Sequence, residues 1–325
     1  MAVITHVVGA RPNFMKAAPV MAAIKNLCPS LQQKLVHTGQ HYDANMSDVF
    51  FAQLGMPLPD ANLEVGSGPR DEQITQIMER FEAWIGRERP DMVVVYGDVN
   101  STVAAAQVSA KAGIPVAHVE AGLRSFDRSM PEELNRVATD QLASLLFTPS
   151  PDGDANLLRE GIAAEKIFRV GNVMIDTLQR LRPEATRRWP KLRDEYLKVL
   201  SQDSGADLLY ALVTLHRPSN VDDPRKLIEM MHALDEIAEH VAVFFPVHPR
   251  TKKKIDEAGF VPRSQKLRLA DPVGYLEFLA LQEHAALVIT DSGGIQEETT
   301  FLGVPCFTLR ENTERPSRSR WERTG

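Results

Sequence analysis

Short, continuous apolar runs alternate with longer amphipathic segments along almost the whole chain. The runs at 3–8, 91–96 and 208–215 are rich in β-branched residues, which is typical of strands buried on both faces of a sheet. The segment at 71–87 repeats its apolar residues with helical spacing and predicts a helix with one buried face. Strands that alternate with helices predict parallel sheets covered by helices, so the pattern predicts an α/β protein.

The same patterns locate the remaining elements. Further strands are predicted at 34–38, 115–119, 145–148, 167–170, 241–247, 266–269, 285–290 and 304–309. Further helices are predicted at 13–27, 43–54, 101–111, 131–143, 154–160, 224–239, 251–258, 273–282 and 295–302.

The chain has 325 residues, which is long for one hydrophobic core and favours two domains. Segment 171–206 interrupts the alternation because it is polar, contains Pro183 and Pro190, and carries only a weak helical pattern. The domain boundary is therefore predicted at its start, with an N-terminal domain at 1–170 and a C-terminal domain at 171–325. Each half predicts a doubly wound, Rossmann-like parallel sheet, and we expect the two sheets to face a central cleft.

Composition excludes several classes of function. The net charge is −6 and the sequence pI is near 5.9, which argues against nucleic acid as a partner, although local cations can still bind a small anion. Cys28 and Cys306 are the only cysteines, too few for a disulfide framework, and their surroundings lack the spacing of a zinc site. The N-terminus predicts no signal peptide, and no apolar run has membrane-spanning length, so we expect a cytoplasmic protein without a membrane partner.

Polar residues follow the predicted strands at their carboxyl ends, where open α/β sheets bind ligands. These positions are Arg11, 40–41, Asp98, Glu120, His216, Arg217, His248, Asp291 and Ser292. Their recurrence at so many unrelated strand ends predicts one ligand-binding cleft.

The segment 291–298 is the most informative of these positions. Ser292, Gly293 and Gly294 lie where a buried strand turns into a helix, and the N–H groups of a helix start favour a phosphate. Glu298 lies one turn into the helix, where a carboxylate could bind a pair of sugar hydroxyls. The alternative is a structural turn capped by glycine, followed by a solvated glutamate.

Three carboxylates and a histidine form the candidate catalytic set, and each also has a structural interpretation. Asp98 could cap the helix that follows it. Glu120 ends an apolar strand, where a carboxylate is costly unless it is paired or functional. Glu132 has capping-box spacing from Ser129 and lies one turn before an arginine, and a lone histidine such as His216 is more often structural. Together, these groups suit proton transfer at a sugar carbon.

At these residues the chain resembles the UDP-N-acetylglucosamine 2-epimerases, which have the glycosyltransferase-B fold. The resemblance runs from Gly9 to Pro316. It rests on motifs at 9–12, 97–98, 118–124, 131–133, 216–217, 291–298 and 313–316.

The resemblance implies a role for each candidate residue. Ser292, Gly293 and Gly294 would bind the diphosphate and Glu298 the uridine ribose. Asp98, Glu120, Glu132 and His216 would carry the chemistry. The remaining binding residues would be Arg11, Lys16, His248 and Arg315.

The resemblance also implies an activity. A non-hydrolysing epimerase interconverts UDP-N-acetylglucosamine and UDP-N-acetylmannosamine, a precursor of surface polysaccharides, by eliminating UDP to give 2-acetamidoglucal and then adding it back. It needs no nicotinamide cofactor and no metal, and a homodimer is expected. The alternatives are a hydrolysing epimerase, an epimerase for a UDP-2,3-diacetamido uronic acid, a glycosyltransferase, and an inactive UDP-sugar binder.

The chain departs from the family pattern in three segments. Segments 40–43 and 218–220 differ near the activating second nucleotide site of the bacterial enzymes, so we expect no such allosteric control; sigmoidal substrate dependence would contradict this. Segment 317–325 is basic and irregular where the family continues into closing helices, which this C-terminal domain is expected to lack.

Overall fold

The computed structural model describes residues 2–39, 51, 53–200 and 209–309, with Arg11, Val199 and Pro218 described by their backbone alone. The predicted helix at 43–54 falls mostly outside these residues, as do segments 40–43 and 310–325. The described residues form two compact units, which divide between Thr177 and Leu178.

In the part of the chain that the structure describes, the first unit contains seven strands, five complete helices and the start of another. Its strands are β1 Val3–Val8, β2 Gln32–His37, β3 Ala61–Asn62, β4 Met92–Tyr96, β5 Val116–Val119, β6 Leu145–Thr148 and β7 Ile167–Arg169. Its helices are α1 Arg11–Leu27, α2 Arg70–Glu88, α3 Asn100–Lys111, α4 Pro131–Leu142, α5 Pro151–Arg159 and the start of α6 Val173–Leu192, with a 3₁₀ turn at Ala164–Lys166.

Among its described residues, the second unit has five strands, the remainder of α6 and five further helices. Its strands are β8 Tyr210–Thr214, β9 Ala242–Pro246, β10 Leu267–Ala270, β11 Leu287–Thr290 and β12 Cys306–Thr308. Its helices are α7 Pro218–Val221, α8 Pro224–His240, α9 Pro249–Glu257, α10 Tyr275–Glu283 and α11 Gly293–Leu302, and the turns Arg193–Leu197 and Lys198–Leu200 follow α6.

Both sheets are entirely parallel and doubly wound. The strand order is β3-β2-β1-β4-β5-β6-β7 in the first unit and β10-β9-β8-β11-β12 in the second. The predicted class, an α/β protein with two Rossmann-like sheets, is therefore confirmed. In each sheet the winding direction reverses beside its first strand, between β1 and β4 and between β8 and β11, and ligands bind such sheets at the carboxyl side of these switch points.

The strands are buried on both faces, as their continuous apolar sequences predict. Val93 and Val95 of β4 are fully buried in the core of the first unit, together with Phe81 of α2. Phe245 of β9 and Met231 of α8 are likewise fully buried in the core of the second unit. The helices therefore cover the sheets and leave the carboxyl edges of the strands for polar chemistry.

The prediction for segment 171–206 is wrong in one respect, because α6 is a helix of 20 residues rather than a weak one. Leu178, Leu181 and Ala185 form a buried stripe at helical spacing. Pro183 and Pro190 lie inside this helix and weaken its local signal, because each lacks an N–H donor. Burial of the stripe outweighs that loss. The short elements β3 and α7 have no pattern that predicts them.

Candidate active site

The switch point of the first sheet is assembled around Asn13. Its side-chain oxygen accepts from the N–H groups of Gly9 and Ala10 at 3.1 and 3.3 Å, and its nitrogen donates to the carbonyl oxygen of Tyr96 at 2.8 Å. A Cβ at Gly9 would lie 2.0 Å from Oγ of Ser101, so only glycine allows this approach. Asn13 therefore joins the start of α1 to the end of β4.

This junction brings Lys16 of α1 to Glu120, which follows β5. The two side chains form an ion pair and are only 6% and 7% exposed. Glu120 has a left-handed backbone with φ of 73°, a conformation that few non-glycine residues adopt. Beside the pair, a Cβ at Gly97 would lie 2.6 Å from Nζ of Lys16. Two predicted site residues thus meet directly at the turn that carries Asp98.

Asp98 pairs with Arg136 of α4, and its side chain is 28% exposed. The helix after Asp98 has Val99 as its N-cap and no side-chain capping bond, so the interpretation of Asp98 as a cap is wrong. Arg136 also contacts Glu133 at 3.1 Å. The carboxylate of Asp98 is therefore held by a buried guanidinium while part of it stays accessible.

Glu132 lies on the exposed side of α4. The capping box that its spacing from Ser129 predicted is wrong, because Met130 is the N-cap and no side chain caps the helix. The i,i+4 spacing predicted that Arg136 pairs with Glu132. In the structure Arg136 pairs with Glu133 and Asp98 instead. Glu132 thus stays accessible for another role.

Glu133 is the carboxylate that the sequence patterns did not single out. It is buried and accepts from the N–H and hydroxyl of Ser125, both at 2.9 Å, and from the N–H of Phe126 at 2.9 Å. These bonds fix the loop between β5 and α4. The signal in the sequence is its spacing from Arg136 and Asp140, which places all three on one face of α4.

A buried charge network supports the turn from the other side. His118 of β5 contacts Asp140 through Nδ1 at 2.6 Å and the carbonyl oxygen of Gly97 through Nε2 at 2.8 Å. Arg124 contacts the same carboxylate at 2.7 Å. Burial alone would raise the pKa of Asp140, but the charges and hydrogen bonds of His118 and Arg124 lower it. The network orients Gly97 and therefore the residue after it.

The switch point of the second sheet is centred on Asp291, which is fully buried after β11. Its carboxylate accepts from the N–H groups of His216 and Arg217 at 3.0 and 2.9 Å and from the side chain of Asn220 at 3.1 Å. Burial alone would raise the pKa of Asp291, but the bond and charge of His216, with the Arg217 and Asn220 bonds, lower it. The turn after β8 is thereby fixed to the turn after β11.

His216 is oriented by the same carboxylate. Its Nδ1 lies 2.8 Å from Oδ1 of Asp291, and its side chain is 56% exposed. An ionised carboxylate accepts hydrogen bonds only, so Nδ1 donates and Nε2 remains for a ligand. The Asp291 carboxylate therefore fixes the orientation of the imidazole ring, as a carboxylate bonded to one ring nitrogen does in many catalytic histidines.

The helix start after β11 has the features of an anion site. Ser292 is the N-cap of α11, and its side chain makes no capping bond. Its N–H donates to Oγ1 of Thr290 at 3.0 Å, which sets the turn. The first N–H groups of a helix have no partner within it, and Gly293 and Gly294 allow close approach to them. The predicted diphosphate residues therefore share one turn at the switch point beside His216.

Glu298 is 2% exposed, so the alternative interpretation as a solvated glutamate is wrong. Tyr275 donates to Oε1 at 3.0 Å, and the side-chain amide of Gln282 donates to Oε2 at 3.1 Å when its oxygen accepts from the N–H of Thr299. Burial raises the pKa of Glu298 to about 7, against the lowering effect of these two hydrogen bonds. Burial likewise raises the pKa of Tyr275. Neither Tyr275 nor Gln282 was predicted from the sequence.

His248 follows β9 and has a structural role of its own. It is the N-cap of α9, and Nδ1 accepts from the N–H of Arg250 at 3.3 Å. Its side chain is exposed at the same carboxyl edge as His216. Of the two remaining predicted residues, Arg11 opens α1 and its side chain is not among those described, and Arg315 lies outside the described residues.

The protein has two doubly wound sheets. Ion-paired carboxylates lie at the switch point of one sheet, and a glycine-rich helix start lies at the switch point of the other. This combination is typical of sugar-nucleotide enzymes with the glycosyltransferase-B type of fold. At the level of fold alone, the crystal structure of a UGT transferase from Siraitia grosvenorii in complex with UDP is similar, with a TM-score of 0.56 at 11% identity over 98% of this chain and 84% of that one.

The chain belongs to the UDP-N-acetylglucosamine 2-epimerase family. The sequence profile of that family matches residues 25–321. A UDP-N-acetylglucosamine 2-epimerase of Methanocaldococcus jannaschii is 45% identical over 95% of this chain and 84% of its own length. A UDP-2,3-diacetamido-2,3-dideoxy-D-glucuronate 2-epimerase of Pseudomonas aeruginosa is 43% identical over 96% of this chain and 84% of its own length.

Solved structures agree with this assignment. The crystal structure of the Methanocaldococcus jannaschii enzyme in complex with UDP-GlcNAc and UDP matches with a TM-score of 0.86 at 42% identity, over 98% of this chain and 86% of that one. The Neisseria meningitidis enzyme bound to UDP-GlcNAc matches with a TM-score of 0.87 at 29% identity, over 98% of this chain and 85% of that one. The resemblance seen in the sequence motifs is therefore confirmed.

Proposed function

We propose that this protein is a non-hydrolysing epimerase that interconverts UDP-N-acetylglucosamine and UDP-N-acetylmannosamine. The observation that carries the proposal is the chemistry at the two switch points, where one sheet holds carboxylates and the other a helix start suited to a diphosphate. Family membership and the UDP-GlcNAc bound to related structures support it. The predicted domain at 1–170 would carry the proton transfer, and the predicted domain at 171–325 would bind UDP.

The second unit would bind UDP. Ser292, Gly293 and Gly294 would receive the diphosphate on the N–H groups of α11, and Glu298 would accept from the ribose hydroxyls. Nε2 of His216, with Nδ1 held by Asp291, would face the diphosphate. The family resemblance adds His248, Arg11 and Arg315 to this set.

The first unit would carry the proton transfer. The C2 proton of the sugar is not adjacent to a carbonyl, so direct removal is very difficult. The C1–O bond therefore breaks first, UDP leaves with the electron pair, and the cationic sugar that forms is far more acidic at C2. A carboxylate among Asp98, Glu120 and Glu132 accepts the C2 proton, and 2-acetamidoglucal results.

Return of UDP would complete the reaction. A proton is delivered to C2 from the opposite face, and UDP adds to C1 to give the manno epimer. Carboxylates stabilise the cationic sugar, while the helix start and Lys16 stabilise the departing diphosphate. Two proton-transfer groups on different faces of the sugar account for the need for more than one carboxylate.

Proton NMR of the purified protein with UDP-N-acetylglucosamine in heavy water tests the proposal. We expect deuterium at C2 and the appearance of UDP-N-acetylmannosamine, because the removed proton exchanges with solvent. Release of free N-acetylmannosamine and UDP would indicate a hydrolysing enzyme instead. UDP binding without C2 exchange would indicate an inactive binder, and transfer to an added sugar acceptor would indicate a glycosyltransferase.

A second candidate substrate is a UDP-2,3-diacetamido uronic acid. The Pseudomonas aeruginosa relative named for such a substrate is 43% identical, almost as similar as the 45% identical Methanocaldococcus jannaschii relative. Both reactions use the same C2 chemistry, so the competing nucleotides must be compared directly. The higher kcat/KM identifies the substrate.

The homodimer and the cytoplasmic location remain predictions. Among the described residues, no helix is both long enough and apolar enough to cross a membrane. Sedimentation equilibrium of the purified chain tests the dimer, since a monomer mass at all concentrations would contradict it.

A further inference from the structure

We propose that Tyr275 and Gln282 are positioning residues that hold the carboxylate of Glu298 as a fixed, two-oxygen acceptor for the ribose hydroxyls of a uridine nucleotide. The inference rests on the proposed function, since it assigns the support of the same nucleotide site. Both residues belong to α10, whereas Glu298 belongs to α11.

The hydrogen bonds determine the carboxylate plane. Tyr275 donates to one oxygen at 3.0 Å and Gln282 to the other at 3.1 Å. The orientation of the Gln282 amide follows from its second contact, because its oxygen accepts from the N–H of Thr299 at 3.3 Å. A carboxylate oxygen has two lone pairs, so each oxygen keeps one for a ligand hydroxyl. Two oxygens in a fixed plane suit the neighbouring hydroxyls of a ribose.

The same two donors favour the ionised form that this role requires. Burial raises the pKa of Glu298 to about 7, while the hydrogen bonds from Tyr275 and then Gln282 lower it. Above this pH the carboxylate accepts from two hydroxyls; below it, a proton takes one acceptor position. Loss of either donor would raise the pKa further, so the acceptor would fail at neutral pH.

Other ionisable groups around Glu298 have partners of their own. On α10, Glu277 pairs with Arg188, and Glu283 pairs with Arg182 at 2.7 Å. On β12, Cys306 is half-buried, and β11 contains no ionisable residue. Glu297, the buried neighbour on α11, has contacts of its own. Among the side chains that the structure describes, Tyr275 is therefore the ionisable one that contacts the Glu298 carboxylate directly.

The test compares UDP with 2′-deoxy-UDP by calorimetry from about pH 5.5 to about pH 9. The ratio of the two Kd values cancels the titration of the phosphates, which both ligands share. For the unmodified chain at high pH, we expect the Kd for 2′-deoxy-UDP to exceed the Kd for UDP by about tenfold or more. This is the loss of affinity that corresponds to one hydrogen bond to a charged group. The ratio should decline towards one below a midpoint of about 7.

The variants Tyr275→Phe and Gln282→Met each remove one donor and keep the side-chain size. In each, we expect the midpoint to rise by about one pH unit, so that the ratio at pH 7 falls several-fold. Gln296→Met is the matched control, because it removes the hydrogen bond that the Gln296 side-chain amide of α11 donates to Oγ1 of Thr308, without touching Glu298. It should leave the midpoint unchanged.

Two outcomes overturn the inference. One is a midpoint and ratio in Tyr275→Phe and Gln282→Met equal to those of the unmodified chain. The other is an equal shift in Gln296→Met, which would indicate general loosening of α11. A normal ratio in the unmodified chain without C2 exchange would overturn the proposed function alone, so the two failures are distinguishable.

Discussion

At the scale of single residues, the turn after β5 depends on glycine for two reasons. Gly122 has φ of 80°, and a Cβ there would lie 2.5 Å from the carbonyl oxygen of Gly153. The N–H of Gly122 also donates to Asp140 at 3.1 Å, which joins this turn to the buried charge network. By contrast, Gly113 has φ of 70°, but a Cβ added there would have open space around it.

We expect Gly122→Ala to cost more stability than Gly113→Ala. The second change adds only the strain of a left-handed alanine, about 1 kcal/mol. The first adds a clash with the backbone of α5, so a loss of roughly 3 kcal/mol or more is expected. Urea unfolding of both variants gives the comparison, and equal losses would show that the backbone at Gly153 yields without cost.

At the scale of elements, α4 carries structural carboxylates on one side and the proposed catalytic carboxylate Glu132 on the other. Glu133, Arg136 and Asp140 are buried on one side and fix the loop and the Asp98 turn. Glu132 is exposed on the other. Adjacent residues of a helix point about 100° apart, so neighbouring glutamates can have unrelated roles.

The pair of variants Glu133→Gln and Glu132→Gln tests this division. Glu133→Gln leaves Arg136 with a weaker partner and removes an acceptor of the loop, so we expect a loss of about 3 kcal/mol in the free energy of unfolding. Glu132→Gln should change it by less than about 0.5 kcal/mol. Its C2 exchange rate should instead fall by roughly 10²-fold or more, as for loss of an acid or base.

Urea unfolding and C2 exchange by NMR are measured on the same preparations. If Glu132→Gln exchanged at the normal rate, Glu132 would lose its proposed catalytic role. If Glu133→Gln were as stable as the unmodified chain, the loop would be held by its other contacts.

At the scale of the whole molecule, the carboxylates proposed for proton transfer and the helix start proposed for UDP belong to different units. The carboxylates Asp98 and Glu120 belong to the first unit, and the Ser292 turn and Glu298 to the second. Each set lies at the switch point of its own sheet, and the residues that hold Asp98 and Glu298 in place, Arg136 and Tyr275, belong to the same unit as the carboxylate they contact.

We therefore expect Asp98→Asn and Glu298→Gln to impair different steps, C2 exchange in the first variant and UDP binding in the second. Asp98→Asn should lower C2 exchange by roughly 10²-fold or more while the Kd for UDP changes by less than about threefold. Glu298→Gln should weaken UDP binding by about tenfold or more, because a charged acceptor is lost. Calorimetry with UDP and NMR exchange give both values, and a comparable loss of UDP affinity in Asp98→Asn would contradict the separation.

The sequence determined the fold class and most element positions. The reason is that binary pattern is a local property: strand burial and helix period are encoded within each segment, as at 91–96 and 71–87. The carboxyl-edge positions of Asp98, His216 and Ser292 followed from the same pattern, because parallel strands end at one edge. The short elements β3 and α7 were not predicted, and α6 was underestimated, since its prolines weaken the local signal while tertiary burial stabilises it.

The tertiary structure decided which of these groups are paired, buried or accessible. Lys16 forms an ion pair with Glu120, Asp98 forms one with Arg136, and the buried Glu298 accepts a hydrogen bond from Tyr275. In each case the partner lies on another element. Pairing and desolvation depend on distances between segments far apart in the chain, and no local pattern encodes them. The sequence by itself therefore determined the fold and the type of chemistry, whereas the protonation and orientation of the groups came only from packing.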